Sequence, residues 1–203
     1  MKTNRSSWVL SVATLLFAAN AWATPSEALR VGGVNFPAEA KLGAAQLQLN
    51  GAGVRQQSAQ ALYAAALYLE KKQSLPEAAI QDTGAKRLSV TMLRDVNARE
   101  MSDLLAAGLK SNSSDADLLG LVSEVFALST LIAETRSLRA GDSFQIDWSP
   151  TAGTSIQVQQ KGQTKPAVKV FPNANLMPAM LRIWLGERPA DPTLKSALLG
   201  SRT

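Results

Sequence analysis

The chain has 203 residues, with 21 Lys and Arg against 16 Asp and Glu, a formal net charge of +5, and neither Cys nor His. Without Cys there is no disulfide, thiol nucleophile, iron–sulfur cluster or lipidated anchor, and without His the commonest general base and metal ligand are missing. Ser-His-Asp hydrolases, zinc hydrolases and His-ligated haem are therefore excluded, chemistry must run on Arg, Lys, Tyr, Asp, Glu, Ser or Thr, and no metal or cofactor is expected.

The first elements belong to an address. Lys2 and Arg5 precede an uncharged apolar run from Trp8 to Ala19, and Ala21-Trp22-Ala23 makes a small-residue cleavage site before Thr24-Pro25. This three-part order is that of a secretory signal peptide. The run is about a dozen residues, where a membrane-spanning helix needs about 20. The segment 1–23 is thus expected to be removed, leaving 24–203 as a single periplasmic domain with no stable membrane anchor. Loss of Lys2 and Arg5 leaves 19 basic and 16 acidic residues, net +3. These charges are scattered, and no basic stripe interleaved with aromatics is present, so nucleic acid is not an expected partner.

In the mature chain, Ala45, Leu47 and Leu49 alternate with Gln46, Gln48 and Asn50, a half-buried strand that runs on through Gly51-Ala52-Gly53-Val54-Arg55. Ala61 to Leu69 is apolar on both parities, which fits a central strand covered on both faces or a helix. Gln73 to Gly84 reads as a connection, with Pro76 near its start. Leu88, Val90 and Met92 alternate with Ser89 and Thr91 in a further strand. Asn97 then stands as a helix N-cap before Met101, Leu104, Leu105, Gly108 and Leu109, spaced i, i+3, i+4, i+7, i+8. Beyond the polar link Ser111 to Ser114, residues from Leu118 to Ile132 keep helical spacing. Arg139 to Asp142 is a turn. Phe144, Ile146 and Trp148 mark one strand, Ser155 to Gln159 a second, and Val168 to Phe171 a third. Met177, Met180, Leu181, Trp184 and Leu185 form the stripe of a helix ended by Gly186, and Asp191-Pro192 opens a short last helix. Strands, then helices, then a hairpin, then helices predict an α+β fold, with an antiparallel sheet covered on one face by helices around 98–109, 115–135 and 175–185.

Arg55 stands out. If the strand from Ala45 runs without a bulge, Arg55 shares a face with Leu47 and Leu49, and an inward Arg on an apolar face needs an anion or another hydrogen-bonding ligand. If Gly51 or Gly53 forms a bulge, the register flips and Arg55 faces solvent. The residues leave both readings open.

The segment Asn50-Gly51-Ala52-Gly53-Val54-Arg55, followed by a strand ending in Tyr68-Leu69 and then by Val90-Thr91-Met92, resembles the start of the chalcone isomerase fold. Ile183-Trp184-Leu185-Gly186, Pro189, Leu194-Lys195 and Leu198-Leu199-Gly200 resemble its bacterial secreted branch, the chalcone isomerase-like proteins. The resemblance spans roughly Val31 to Gly200. It implies an open-faced antiparallel sheet with a layer of helices on one face. In the enzymes of this family a phenolate attacks an enone to close a flavanone ring, and a strand Arg, matched here by Arg55, stabilises the developing enolate.

The enzymes' other polar groups are not matched. Alignment puts Tyr63 at a Thr position, Met101 at a Tyr position, Gly108 at an Asn position and Met177 at a Ser or Thr position. Cyclisation of chalcones is therefore not expected. The resemblance implies a non-catalytic protein that holds a small amphipathic or aromatic anionic ligand, fatty-acid-like, in a cleft floored by Arg55 and lined by Tyr63, Met101 and Met177. Two other readings stay open: an isomerase or intramolecular lyase acting on an unknown substrate, and an accessory protein that binds a protein partner and has a vestigial cleft.

Overall fold

The computed structural model describes residues 28–201. Strands β1 (Leu29–Val31) and β2 (Val34–Phe36) form a hairpin through Gly32 and Gly33, whose φ angles of 57° and 82° suit glycine. They are followed by β3 (Glu39–Leu42), β4 (Ala45–Gln57) and β5 (Gln60–Leu69), and then by helix α1 (Pro76–Gln81). Next come β6 (Lys86–Met92), the short β7 (Val96–Asn97), and helices α2 (Ala98–Asn112), α3 (Asp115–Leu119) and α4 (Val122–Thr135). The chain then passes through β8 (Ser137–Leu138), β9 (Ser143–Ser149), β10 (Gly153–Gln159) and β11 (Ala167–Phe171). It ends with α5 (Leu176–Leu185) and α6 (Pro192–Leu198).

Seven strands pair antiparallel in the order β11-β10-β9-β6-β5-β4-β3. The sheet is curled into a half-barrel, and the α+β architecture with helices against one face is as the sequence predicts. β5 settles as a strand buried on both sides. Tyr63, Ala65, Leu67 and Leu69 face the helices, while Ala64, Ala66 and Tyr68 face a smaller core that includes Phe36 of β2. The small β1–β2 hairpin thus covers the second face of the central strands, which explains why Ala61 to Leu69 has no polar parity.

Two expectations need correction. The helix expected over 115–135 is two helices, α3 and α4, separated at Gly120 and Leu121. Ser114 caps α3 in a reciprocal capping box with Asp117, so the break starts a new helical segment with its own N-terminal partners. The stretch from Gln73 to Gly84, read as a connection, contains α1. Pro76 sits at its first turn, where its missing N–H costs nothing.

The parity of β4 decides the site. Leu47 and Leu49 belong to the hairpin-side core. Leu49 pairs with Tyr68, but the next pair is Gly51 with Leu67, so Asn50 is an extra residue and forms a bulge. After it, Gly51, Gly53 and Arg55 oppose Leu67, Ala65 and Tyr63, all on the helix side. A bulge is present, as one reading allowed, at Asn50 and not at a glycine. It carries Arg55 to the face opposite Leu47 and Leu49, and because helices cover that face, the side chain reaches the interior and not solvent.

The bulge is fastened to the C-terminal helix. The Asn50 amide nitrogen donates to the Leu198 carbonyl at 2.7 Å and to the Gln73 carbonyl at 3.0 Å, and its oxygen accepts from the Gln73 N–H at 2.7 Å. On α6, Asp191 accepts the backbone N–H groups of Thr193 and Leu194 as N-cap, and its other oxygen accepts the N–H of Gln56 at 2.8 Å. Both ends of α6 are therefore tied to β4, on either side of Arg55.

Candidate functional site

Between the helix-covered face of the sheet and the helices lies a cavity of about 80 Å³. The sheet contributes Arg55 from β4, Tyr63 from β5, Phe144 and Ile146 from β9, and Ile156 and Val158 from β10. α2 supplies Met101, Leu104 and Leu105, α4 supplies Leu128, Leu131, Ile132 and Thr135, and α5 supplies Met180, Ile183 and Trp184. No acidic residue lines it. Thr135 donates its hydroxyl to the Ile132 carbonyl of its own helix at 2.6 Å. The remaining polar atoms are those of Arg55, Tyr63 and Trp184, and they converge at one end.

Arg55 and Tyr63 are opposite each other across β4 and β5. A guanidinium nitrogen of Arg55, Nη1, donates to the Tyr63 hydroxyl at 3.3 Å, and its central carbon stands 5.6 Å from the centre of the tyrosine ring, a cation–π distance. Trp184 reaches the same oxygen from α5 and donates its indole N–H at 2.7 Å. The Arg55 Nε is buried and has no hydrogen-bond partner, and among the described residues Arg55 forms no salt bridge. Burial raises the Tyr63 phenol above its ordinary value, only partly offset by the charge of Arg55, so the phenol keeps its proton. The end of the cavity therefore presents a fixed positive charge and N–H and O–H donors inside apolar walls.

Of the four residues expected at a ligand, the structure brings Arg55, Tyr63 and Met101 to one cavity. Met177 is not there. It lies one turn before Met180 on α5, buried in the surrounding core, and Met180 lines the cavity instead. α5 is buried nearly all round, so the stripe read from sequence did not reveal which of its methionines faces open space. Gly108, at the position that the resemblance gives to an Asn of the enzymes, is a helix-crossing point. A Cβ there would stand 2.7 Å from Cγ2 of Ile183 on α5. The contribution of α4 and the link from Trp184 to Tyr63 were not read from the sequence. Trp184 was placed on the right helical stripe, but nothing local in the sequence ties it to a tyrosine 121 residues away.

The sequence profile of the chalcone isomerase-like family matches residues 28–200. A search of curated protein sequences finds no match. Among solved structures, a fatty-acid binding protein of Arabidopsis thaliana, AtFAP1, superposes with a TM-score of 0.62 at 15% identity, covering 85% of this chain and 96% of that one. At that identity the likeness speaks for the fold. With the profile match spanning almost all of the described residues, the chain belongs to the chalcone isomerase-like family.

Proposed function

We propose that this protein is a non-catalytic binding protein for a small amphipathic carboxylate, fatty-acid-like, whose head group pairs with Arg55 and whose tail lies along the apolar cavity. The observation that carries this reading is the Arg55 guanidinium at the end of an otherwise apolar cavity, with a buried Nε that has no partner. Arg55 is half-buried, and a charge partly withdrawn from water gains from pairing with an anion, for which a carboxylate matches the guanidinium fork in geometry as well as charge. The volume of about 80 Å³ is several times the roughly 10–15 Å³ that one water requires, and its apolar walls suit a hydrocarbon tail. The fatty-acid binding function of AtFAP1, whose fold this chain shares, supports the same class of ligand. Binding is favoured over isomerisation because Met101 lines the cavity where the enzymes carry a Tyr, and Gly108 and Met177 are taken up by helix packing.

Titration of the mature chain with saturated fatty acids of increasing length tests this. Arg55→Ala should weaken binding by about 10–100-fold, the scale of a charge-assisted hydrogen-bonded pair. Arg55→Lys should recover part of the loss, since a point charge cannot reproduce the fork. Equal affinities for wild type and Arg55→Ala would end the reading. We also propose that the mature protein, Thr24 to Thr203, is one periplasmic domain released after Ala23. The signal-like pattern of residues 1–23 supports this, those residues lying outside the described part, and N-terminal sequencing of the exported protein checks it.

A further inference from the structure

The arrangement around Tyr63 contains more than a cation and its neighbour. A tyrosine hydroxyl has one proton to give and two lone pairs to receive. Here Arg55 Nη1 and Trp184 Nε1 both donate to that oxygen, at 3.3 and 2.7 Å. Neither an arginine nor an indole N–H can act as an acceptor, so both lone pairs of Tyr63 are taken and the polarity of the contact is fixed. The phenol proton is left over. No acceptor for it is found among the described residues, and burial keeps the phenol neutral.

Tyr63 is then left with an O–H for a ligand in the cavity it lines, beside the Arg55 guanidinium. We infer that Trp184 is a positioning residue for ligand selection: by occupying an acceptor site on Tyr63, its indole N–H makes that end of the cavity donor-only, so that it selects acceptor-only head groups, carboxylates, over hydroxyl-bearing ones. This rests on the binding function proposed above and sharpens it. An alcohol can accept from Arg55 and Tyr63, but its own proton then finds no acceptor, and an unsatisfied buried donor is penalised. A carboxylate brings no proton and leaves nothing unpaired. Trp184 also polarises the phenol it donates to, which strengthens the O–H as a donor.

The inference predicts different responses for two ligands. Trp184→Phe keeps an aromatic ring in α5 and removes the N–H, which frees one lone pair on Tyr63. Dodecanoate should then bind about 3–10-fold more weakly, having lost a polarised donor. Dodecan-1-ol should bind about as well as to wild type, because with the freed lone pair either hydroxyl can donate to the other and the number of unpaired protons does not change. A packing role for Trp184 would weaken both ligands alike, and that result overturns the inference. In a Tyr63→Phe background, Trp184→Phe should add no further loss for dodecanoate; multiplied losses would also overturn it. If Trp184→Phe does not fold, the isosteric benzothiophene analogue of tryptophan at position 184, which lacks the N–H, gives the same comparison. Dodecanoate binding that depends on Arg55 together with an unchanged acid-to-alcohol ratio in the Trp184 variant rejects this inference alone. Absence of Arg55-dependent dodecanoate binding to wild type rejects the binding function and this inference with it.

Discussion

Gly51 of β4 packs against the Ala197 carbonyl of α6, so close that a Cβ on Gly51 would overlap that oxygen and also crowd the Leu198 carbonyl. Gly53 repeats the relation two residues on, where a Cβ would stand 2.7 Å from that of Ala197 and 3.0 Å from Cδ1 of Leu194. The two glycines serve close approach of helix to strand, and both partners at Gly51 are backbone. Since α6 is tied at both ends to β4, it cannot retreat. Gly51→Ala should therefore destabilise the fold by about 2–3 kcal/mol, the upper range for overpacking, seen as a lowered urea midpoint with an unchanged m-value.

The cavity should not cyclise chalcones. No loss of chalcone absorbance above the uncatalysed rate is expected. Gly108→Asn, which restores a polar residue at the position matched to the enzymes' Asn, should bring no turnover. It should instead lower stability by about 1–3 kcal/mol, because the new side chain meets Ile183 where α2 crosses α5. Turnover in either protein that disappears with Arg55→Ala would assign the cavity to catalysis.

Lys86 is almost wholly buried, and its ammonium donates to the carbonyls of Ala79, at 3.2 Å, of Ile80, at 3.3 Å, and of Asp82. These are the carbonyls that the end of α1 leaves without helical partners. A cation there also complements the negative end of the helix dipole. Lys86→Met keeps the length of the stem and removes the three donors. It should cost about 1–3 kcal/mol of stability, with the loss of amide protection in hydrogen exchange concentrated in α1.

Alkaline pH should unfold the protein through its two tyrosines. Burial raises Tyr68 to about 12 and raises Tyr63 as well, while in the unfolded chain both titrate near 10. Their contribution is fully present below pH 10 and is lost as pH rises from 10 toward the folded values, because the unfolded chain gives up its protons first. The expected slope is about 1.4 kcal/mol per pH unit for each retained proton. Lys86, lowered by burial, acts in the opposite sense, but only below 10.5, where the unfolded side chain still holds its proton. Urea melts from pH 9 to 12 should show stability falling above pH 10.5, and Tyr68→Phe should flatten the fall.

Long elements with one dominant period were legible in the sequence. The helix begun by Asn97 is present, with the Asn97 side chain accepting the Glu100 N–H at 2.9 Å as N-cap. The alternation of Leu88, Val90 and Met92 is strand β6. The β1–β2 hairpin and β3 were not legible, because three or four residues do not make a period. Pro76 is legible as punctuation, but punctuation alone does not separate the start of a loop from the first turn of a helix, which a proline equally opens. At the site, the cation and its partner strand could be found from Arg55 and Tyr63. The face on which Arg55 lies could not, since nothing about Asn50 in isolation marks it as a bulge. Its hydrogen bonds to Gln73 and Leu198 come from residues distant in the chain.

The extra residue in β4 makes this site a matter of counting as well as of chemistry. Before Asn50 the strand gives its leucines to one compartment, and after it the strand gives its arginine to the other. Shortening β4 by that single residue would change no functional side chain, yet it would exchange the inside and outside of everything downstream up to the turn. Arg55 would be moved to the hairpin side and Val54 presented to the cavity in its place. Alignments that open a one-residue gap here, against a chain without the extra residue, would therefore match an arginine to an arginine in sequence while placing them on opposite sides of the sheet.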